Sequence, residues 1–103
     1  MDNLLWLQDW YSSRCNGDWE HQQGISIQTL DNPGWDVKIE LIGTEQENIP
    51  FQTIERKGDE DWITCKVKDN QFLGIGGKKN LDEILQIFRT WTRTNGKTIQ
   101  TND

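Results

Sequence analysis

Leu4, Leu7 and Tyr11 recur along the first stretch of the chain at three- and four-residue steps, with Trp6 and Trp10 on the stripe beside them. That spacing gathers apolar side chains on one side of a helix, so it predicts an amphipathic helix over residues 3–14. Asp2 or Asn3 is placed to cap its start. Asn16-Gly17, just past Cys15, offers the left-handed backbone that ends helices.

Beyond residue 24 the period falls to two. Ile25 and Ile27 alternate with Ser26 and Gln28 up to Leu30, and Trp35, Val37, Ile39 and Leu41 alternate with Asp36, Lys38 and Glu40. These are half-buried strands. Asp31-Asn32-Pro33-Gly34 between them predicts a type II turn, with Pro33 presetting φ at the second position and Gly34 at the third, and the pair predicts an antiparallel hairpin. Residues 43–50 are polar and read as a loop; residues 51–57 alternate weakly and read as an edge strand after Pro50. A turn at Gly58-Asp59-Glu60-Asp61 leads to the alternation of Ile63, Cys65 and Val67 with Thr64, Lys66 and Lys68. Asp69-Asn70 signals a tight turn into a last strand over 72–75, which Gly76-Gly77 ends.

Helical spacing returns with Leu81, Ile84, Leu85, Phe88 and Trp91, and Ile87 widens the stripe. Asn80 is positioned as N-cap, Glu83 as the other half of a capping box, and Gly96 as the stop. Residues 97–103 are polar and expected to fray. The order helix, strands, helix predicts an α+β domain: a four- to five-stranded antiparallel meander sheet with the N-terminal and C-terminal helices packed on one face. A length of 103 residues suits one domain spanning residues 1–103.

Composition narrows the function classes. Asp and Glu outnumber Lys and Arg, 17 to 11, for a net charge of -6. Such a surface repels nucleic acid and anionic lipid and attracts a basic protein. Only 33% of the residues are hydrophobic, so six Trp carry much of the burial. No membrane span or signal peptide is read in the chain, and the two cysteines make neither a disulfide scaffold nor a four-cysteine zinc site. The expectation is a cytoplasmic protein with reduced thiols.

Three stretches carry candidate chemistry. Asp18-Trp19-Glu20-His21 holds the one histidine. If extended, it points Asp18 and Glu20 to one side and Trp19 and His21 to the other, so a strand alone would not gather a metal site. The structural alternative anchors Trp19 in the core, with the acids wet or bonded to turn amides. Gly76-Gly77-Lys78 opens a helix in an anion-friendly manner, but position 72 is phenylalanine and position 80 asparagine, which departs from the phosphate-loop pattern. Cys65 falls on the inward side of its strand and Cys15 follows a helix, neither being the setting of a reactive thiolate. Trp62 lies opposite Ile63, Cys65 and Val67, either as an exposed anchor beside Asp59, Glu60 and Asp61 or curled over the sheet edge.

Three segments together resemble one family: residues 7–21 through Cys15-Asn16-Gly17-Asp18-Trp19-Glu20-His21; Thr29-Leu30-Asp31-Asn32-Pro33-Gly34-Trp35; and Asp61-Trp62 with Asn80-Leu81-Asp82-Glu83-Ile84-Leu85. The chain is similar, over nearly its whole length, to the bacterial immunity protein 53 family. The resemblance implies a protein that binds a polymorphic toxin and neutralises it, with no cofactor and no catalytic residue to carry over. A basic nuclease is the partner that the charge would suit. The expected partner-binding residues are Asp18, Trp19, Glu20, His21, Asp59, Glu60, Asp61 and Trp62. Two other readings compete: a small metal- or His-dependent hydrolase built on Asp18, Glu20 and His21, and an anion-binding module built on Gly76, Gly77 and Lys78. The oligomeric state stays open.

Overall fold

The computed structural model describes residues 2–94. The expected stop at Gly96 and the tail over 97–103 lie outside the described residues. Helix α1 (Asn3–Arg14) leads through a short helix, α2 (Trp19–Gln22), to strands β1 (Ile25–Leu30) and β2 (Gly34–Glu40). Strands β3 (Ile54–Arg56), β4 (Ile63–Lys68) and β5 (Gln71–Gly76) follow, then helix α3 (Leu81–Thr94). Every strand pair is antiparallel within one five-stranded sheet, and the helices cover one face of it.

The strand order corrects the expected meander. It runs β1-β2-β5-β4-β3, so β5 is central and β3 is the far edge. The segment after β2 crosses to that edge because its aromatic and carbonyl groups are tied below α3. The Phe51 ring meets Phe72 and Trp91 edge-on, at 5.6 and 5.1 Å between centroids, and Trp91 Nε1 donates to the Pro50 carbonyl at 2.9 Å. Antiparallel alternation survives the rearrangement, because β2 and β4 both run against β5.

Register explains the core. Val37, Gly74 and Cys65 lie side by side in one row, and Ile39, Phe72 and Val67 in the next. This face meets Ile84, Leu85, Phe88 and Trp91 of α3, and Leu7 of α1 joins the same cluster. Gly74 has a packing reason to lack a side chain, since a Cβ there would stand 2.5 Å from Cγ2 of Ile84. The other face, with Asp36, Lys38, Leu73, Ile75 and Lys66, carries no helix.

Helix α1 has the expected bounds and the expected cap: Asp2 accepts from the Leu5 amide at 3.0 Å. Its buried side is narrower than the periodicity suggests. Asn3 and Leu7 are buried, while Leu4 and Tyr11 are 53% and 39% exposed. The helix packs on α3 through Trp6 and Trp10 against Phe88, at 5.9 and 5.1 Å, which turns the Leu4–Tyr11 line toward the flank.

Two turn expectations change. Gly34 is not the third residue of a type II turn; it pairs with Leu30 as the first residue of β2. A Cβ on it would collide with the Gly76 carbonyl. The capping box does not form either. The Asn80 amide donates to the Gly77 carbonyl at 3.1 Å, and Glu83 turns instead to Arg56. Asp69 and Asn70 do form a tight turn, both with positive φ, as a two-residue hairpin requires.

Candidate partner-contact surfaces

The stretch Asp18-Trp19-Glu20-His21 is a helical corner, so the alternation of an extended segment does not apply to it. Gly17, at φ 90°, lets the chain reverse after α1. Asn16 Oδ1 then accepts from the amides of Asp18 and Trp19 at 3.0 and 2.9 Å, supplying the start of α2. Positions two apart on a helix diverge by roughly 200°, so strand alternation does not put Asp18 and Glu20 on a common side. The Glu20 carboxylate accepts from the amides of Asn16 and Gly17 at 2.9 and 2.8 Å. Its own backbone amide, and then those two, favour the ionised form and hold it below the usual carboxylate range.

Trp19 closes this corner from inside. Its Nε1 donates to the Ile42 carbonyl at 2.7 Å, and its ring meets Trp10 and Tyr11 edge-on at 6.2 and 6.0 Å. At 7% exposure it spends its surface on the core, so it is an internal anchor rather than one offered to a partner. Gly43, at φ 81°, lets the backbone pass close beneath the indole. Asp18 and His21 remain exposed on the outside of the corner.

Asp59, Glu60, Asp61 and Trp62 lie at the opposite end of the sheet. Gly77, just past the end of β5, donates its amide to the Trp62 carbonyl at 3.0 Å, whereas Leu41, next to the Trp19 contact, donates to Asn70 at the start of β5. The five steps of β5 separate the two acidic groups by roughly 17 Å. The expected contact residues therefore fall into two surfaces, not one.

Two acids of the second group, Glu60 and Asp61, already face cations. Arg56 grips Glu83 through two bonds of 2.7 and 2.8 Å and Asp61 through one of 2.7 Å. Asp61 also accepts from Asn80 Nδ2 at 2.8 Å. Arg56 first and Asn80 second hold the Asp61 carboxyl below its ordinary value. Lys78 stands 3.9 Å from Glu60. Trp62 is half-buried, its indole laid across the helix-free side over Gly34 and Gly77. A Cβ at those two positions would lie 3.3 and 3.1 Å from its ring atoms.

The other candidate chemistries meet physical obstacles. Glu20 is bound to amides, not to the His21 ring. Among the described residues no three His, Cys, Asp or Glu side chains group as metal ligands do. The Gly77 amide is committed to Trp62 and, at 3.1 Å, to Asn80 Oδ1, and Glu60 and Asp61 line the same hollow as Lys78. An anion there would meet carboxylates and a spent donor. Burial, and then the charge of Glu83, push the Cys65 thiol up to about 12.

The fold adds residues of the loop after β2 to the first surface. Ile42 and Gly43 border the hollow with Asp18 and Trp19. Glu47 accepts from the Gly43 amide at 3.1 Å, and the Asn48 amide donates to Asn70 Oδ1 at 3.0 Å, which brings Glu45, Glu47 and Asp69 to the same end. Strand direction was the available signal: the segment after β2 and the turn before β5 must share an end if the two strands pair. All ion pairs among the described residues lie at the opposite end, around Arg56 and Lys78. Asp18, Glu20, Glu45, Glu47 and Asp69 have no cation partner among the described residues.

No helix among the described residues is long and apolar enough to cross a membrane. The family model described as Immunity protein 53 matches residues 4–93. No curated protein and no solved structure matches the chain.

Proposed function

We propose, from the premise that this chain belongs to the immunity protein 53 family, that it protects its producer by stoichiometric binding of a cognate bacterial toxin in the cytoplasm. The toxin presents a basic surface, as a nuclease cleft does, and the chain meets it with the end of the sheet that carries Asp18, Glu45, Glu47 and Asp69. Family membership supports the role. The observation that supports this surface is electrostatic: among the described residues these carboxylates form no ion pair, whereas Glu60, Asp61 and Glu83 at the other end do. Unpaired charge on a rim steers encounter, with association rate constants that reach roughly 10⁸ M⁻¹s⁻¹ at low salt. Ile42, 44% exposed beside Gly43, supplies apolar contact within that rim. Asp59, Glu60, Asp61 and Trp62 form the second candidate surface, weaker in field because Arg56 pairs with Asp61 and Lys78 stands near Glu60.

The test uses the toxin encoded beside the gene and two charge-reversed variants, Asp18→Lys/Glu45→Lys and Asp59→Lys/Glu60→Lys. Association rates are measured at low and moderate salt, together with protection of cells expressing the toxin. The first pair is expected to slow association at least tenfold at low salt and to weaken protection, and the second to change either little. Loss with the second pair alone moves the contact to the other end. Full binding and protection by both variants would remove the acidic-surface mechanism.

A further inference from the structure

The two edges of the sheet are built differently. β3 is three residues long, carries Glu55 and Arg56, and continues into Lys57. Shortness and charge are how sheet edges are protected from pairing with another chain. β1 has neither protection. It is six residues long, reads Ile25-Ser26-Ile27-Gln28-Thr29-Leu30, and residues 22–30 contain no charged side chain and no proline.

Its free hydrogen-bonding groups follow from the register. The Glu40 amide donates to the Gly24 carbonyl at 3.0 Å, and those residues are opposite each other in the ladder. Antiparallel pairs alternate between bonded and non-bonded, so Ser26, Gln28 and Leu30 bond to β2. The amides and carbonyls of Ile25, Ile27 and Thr29 therefore point away from the sheet. Beside this edge an apolar groove of about 320 Å³ runs under α1, lined by Leu4, Leu7, Gln8, Tyr11, Gly24 and Ile25. Leu4 and Leu5 on the helix above are 53% and 56% exposed.

We propose that β1 pairs with β1 of a second copy of this chain, antiparallel about a two-fold axis at Ile27, to make a continuous sheet across a dimer. Charge selects this occupant. With a net charge of -6, most faces of two copies repel, but β1 and the residues that line its groove carry no charge. A basic toxin gains nothing electrostatic from a neutral strand, which separates this edge from the acidic end. The two-fold arrangement is self-complementary: Ile27 faces its own counterpart, Ile25 faces Thr29, and the exposed Leu4–Tyr11 flanks of the two α1 helices are brought toward each other.

Sedimentation equilibrium of the full chain over a micromolar-to-millimolar series tests this. The expected result is a concentration-dependent dimer of twice the chain mass. Ser26→Lys/Gln28→Lys sets lysines opposite each other across the axis, on the solvent side of β1, and should weaken the dimer at least tenfold. Thr29→Pro removes an outward amide without touching the bonds to β2 and should act in the same direction. Unchanged thermal unfolding of the monomers at low concentration shows that both variants fold. A wild-type chain that stays monomeric throughout would overturn the proposal, as would variants that dimerise as tightly as wild type. A monomer whose toxin binding is lost in the edge variants would likewise overturn it, and assign the edge to a toxin strand instead.

Discussion

Arg56 and Glu83, 27 residues apart in the chain, are joined by a two-pronged ion pair that clamps edge strand β3 to the first turn of α3. The same guanidinium holds Asp61. Arg56 depresses the carboxyl pKa of both Glu83 and Asp61, from ordinary values of 4.5 and 3.8. A depressed folded-state pKa means stability that is fully present above those ordinary values and lost as pH falls through the folded ones. The side chains are 42%, 40% and 68% exposed, so solvent and salt screen the effect. Arg56→Gln should therefore lower the urea midpoint at pH 7, and the gap from wild type should close as the pH falls below about 4. A gap that is the same at pH 7 and pH 3 would assign the loss to packing of the Arg56 stem instead.

Gly74 leaves the space that Ile84 of α3 occupies against the sheet. Gly74→Ala places a methyl 2.5 Å from Cγ2 of Ile84 and 3.3 Å from Cε2 of Phe72. Overpacking of this kind should cost about 1–3 kcal/mol. In a double-mutant cycle with Ile84→Ala, which removes the colliding group, the two losses should be less than additive. Chemical denaturation of the four proteins reads the coupling directly.

Trp19 joins the α1–α2 corner to the segment after β2. Trp19→Phe keeps much of the ring but removes the donor to the Ile42 carbonyl, a bond of 2.7 Å. The expected cost is about 1–3 kcal/mol, since an acceptor near the core loses its partner. Hydrogen exchange should quicken first in residues 16–23 and 41–48, while the amides of β4 and β5 stay protected. Uniform loss of protection across the sheet would mean that the corner unfolds only with the whole protein.

The two thiols should differ in reactivity. Cys65 is fully buried, with its pKa pushed up to about 12. Cys15 is half-buried at the end of α1, its Sγ within 3.3 Å of the Tyr11 carbonyl. A maleimide at pH 7 should label Cys15 in the native protein and reach Cys65 only after denaturant is added, as intact mass spectrometry would show. Native labelling of Cys65 would mean that the core opens under α3.

Helix α1, strands β1, β4 and β5 and helix α3 were legible because each is written in neighbouring residues. A period of 3.6 or 2, an acid before a helix and an Asp-Asn pair between strands act over one or two turns of chain. The short helix α2 escaped because four residues carry no readable period, and what folds them is a side chain, Asn16, bonding to nearby amides. Glu83 shows the limit of local rules. Its spacing from Asn80 fits a capping box, but a guanidinium from a distant strand outbids the local amide.

The sequence by itself determined the two long helices, the runs that become strands and the acidic surface, since these follow from side-chain chemistry and short-range spacing. Only the tertiary structure decided that β5 sits between β2 and β4, that Trp19 is internal, and that Asp18 and Asp61 stand at opposite ends of the sheet. Those outcomes depend on pairing between residues far apart in the chain, where the rings of Phe51, Phe72 and Trp91 compete for one shared volume. No local pattern records the result of that competition.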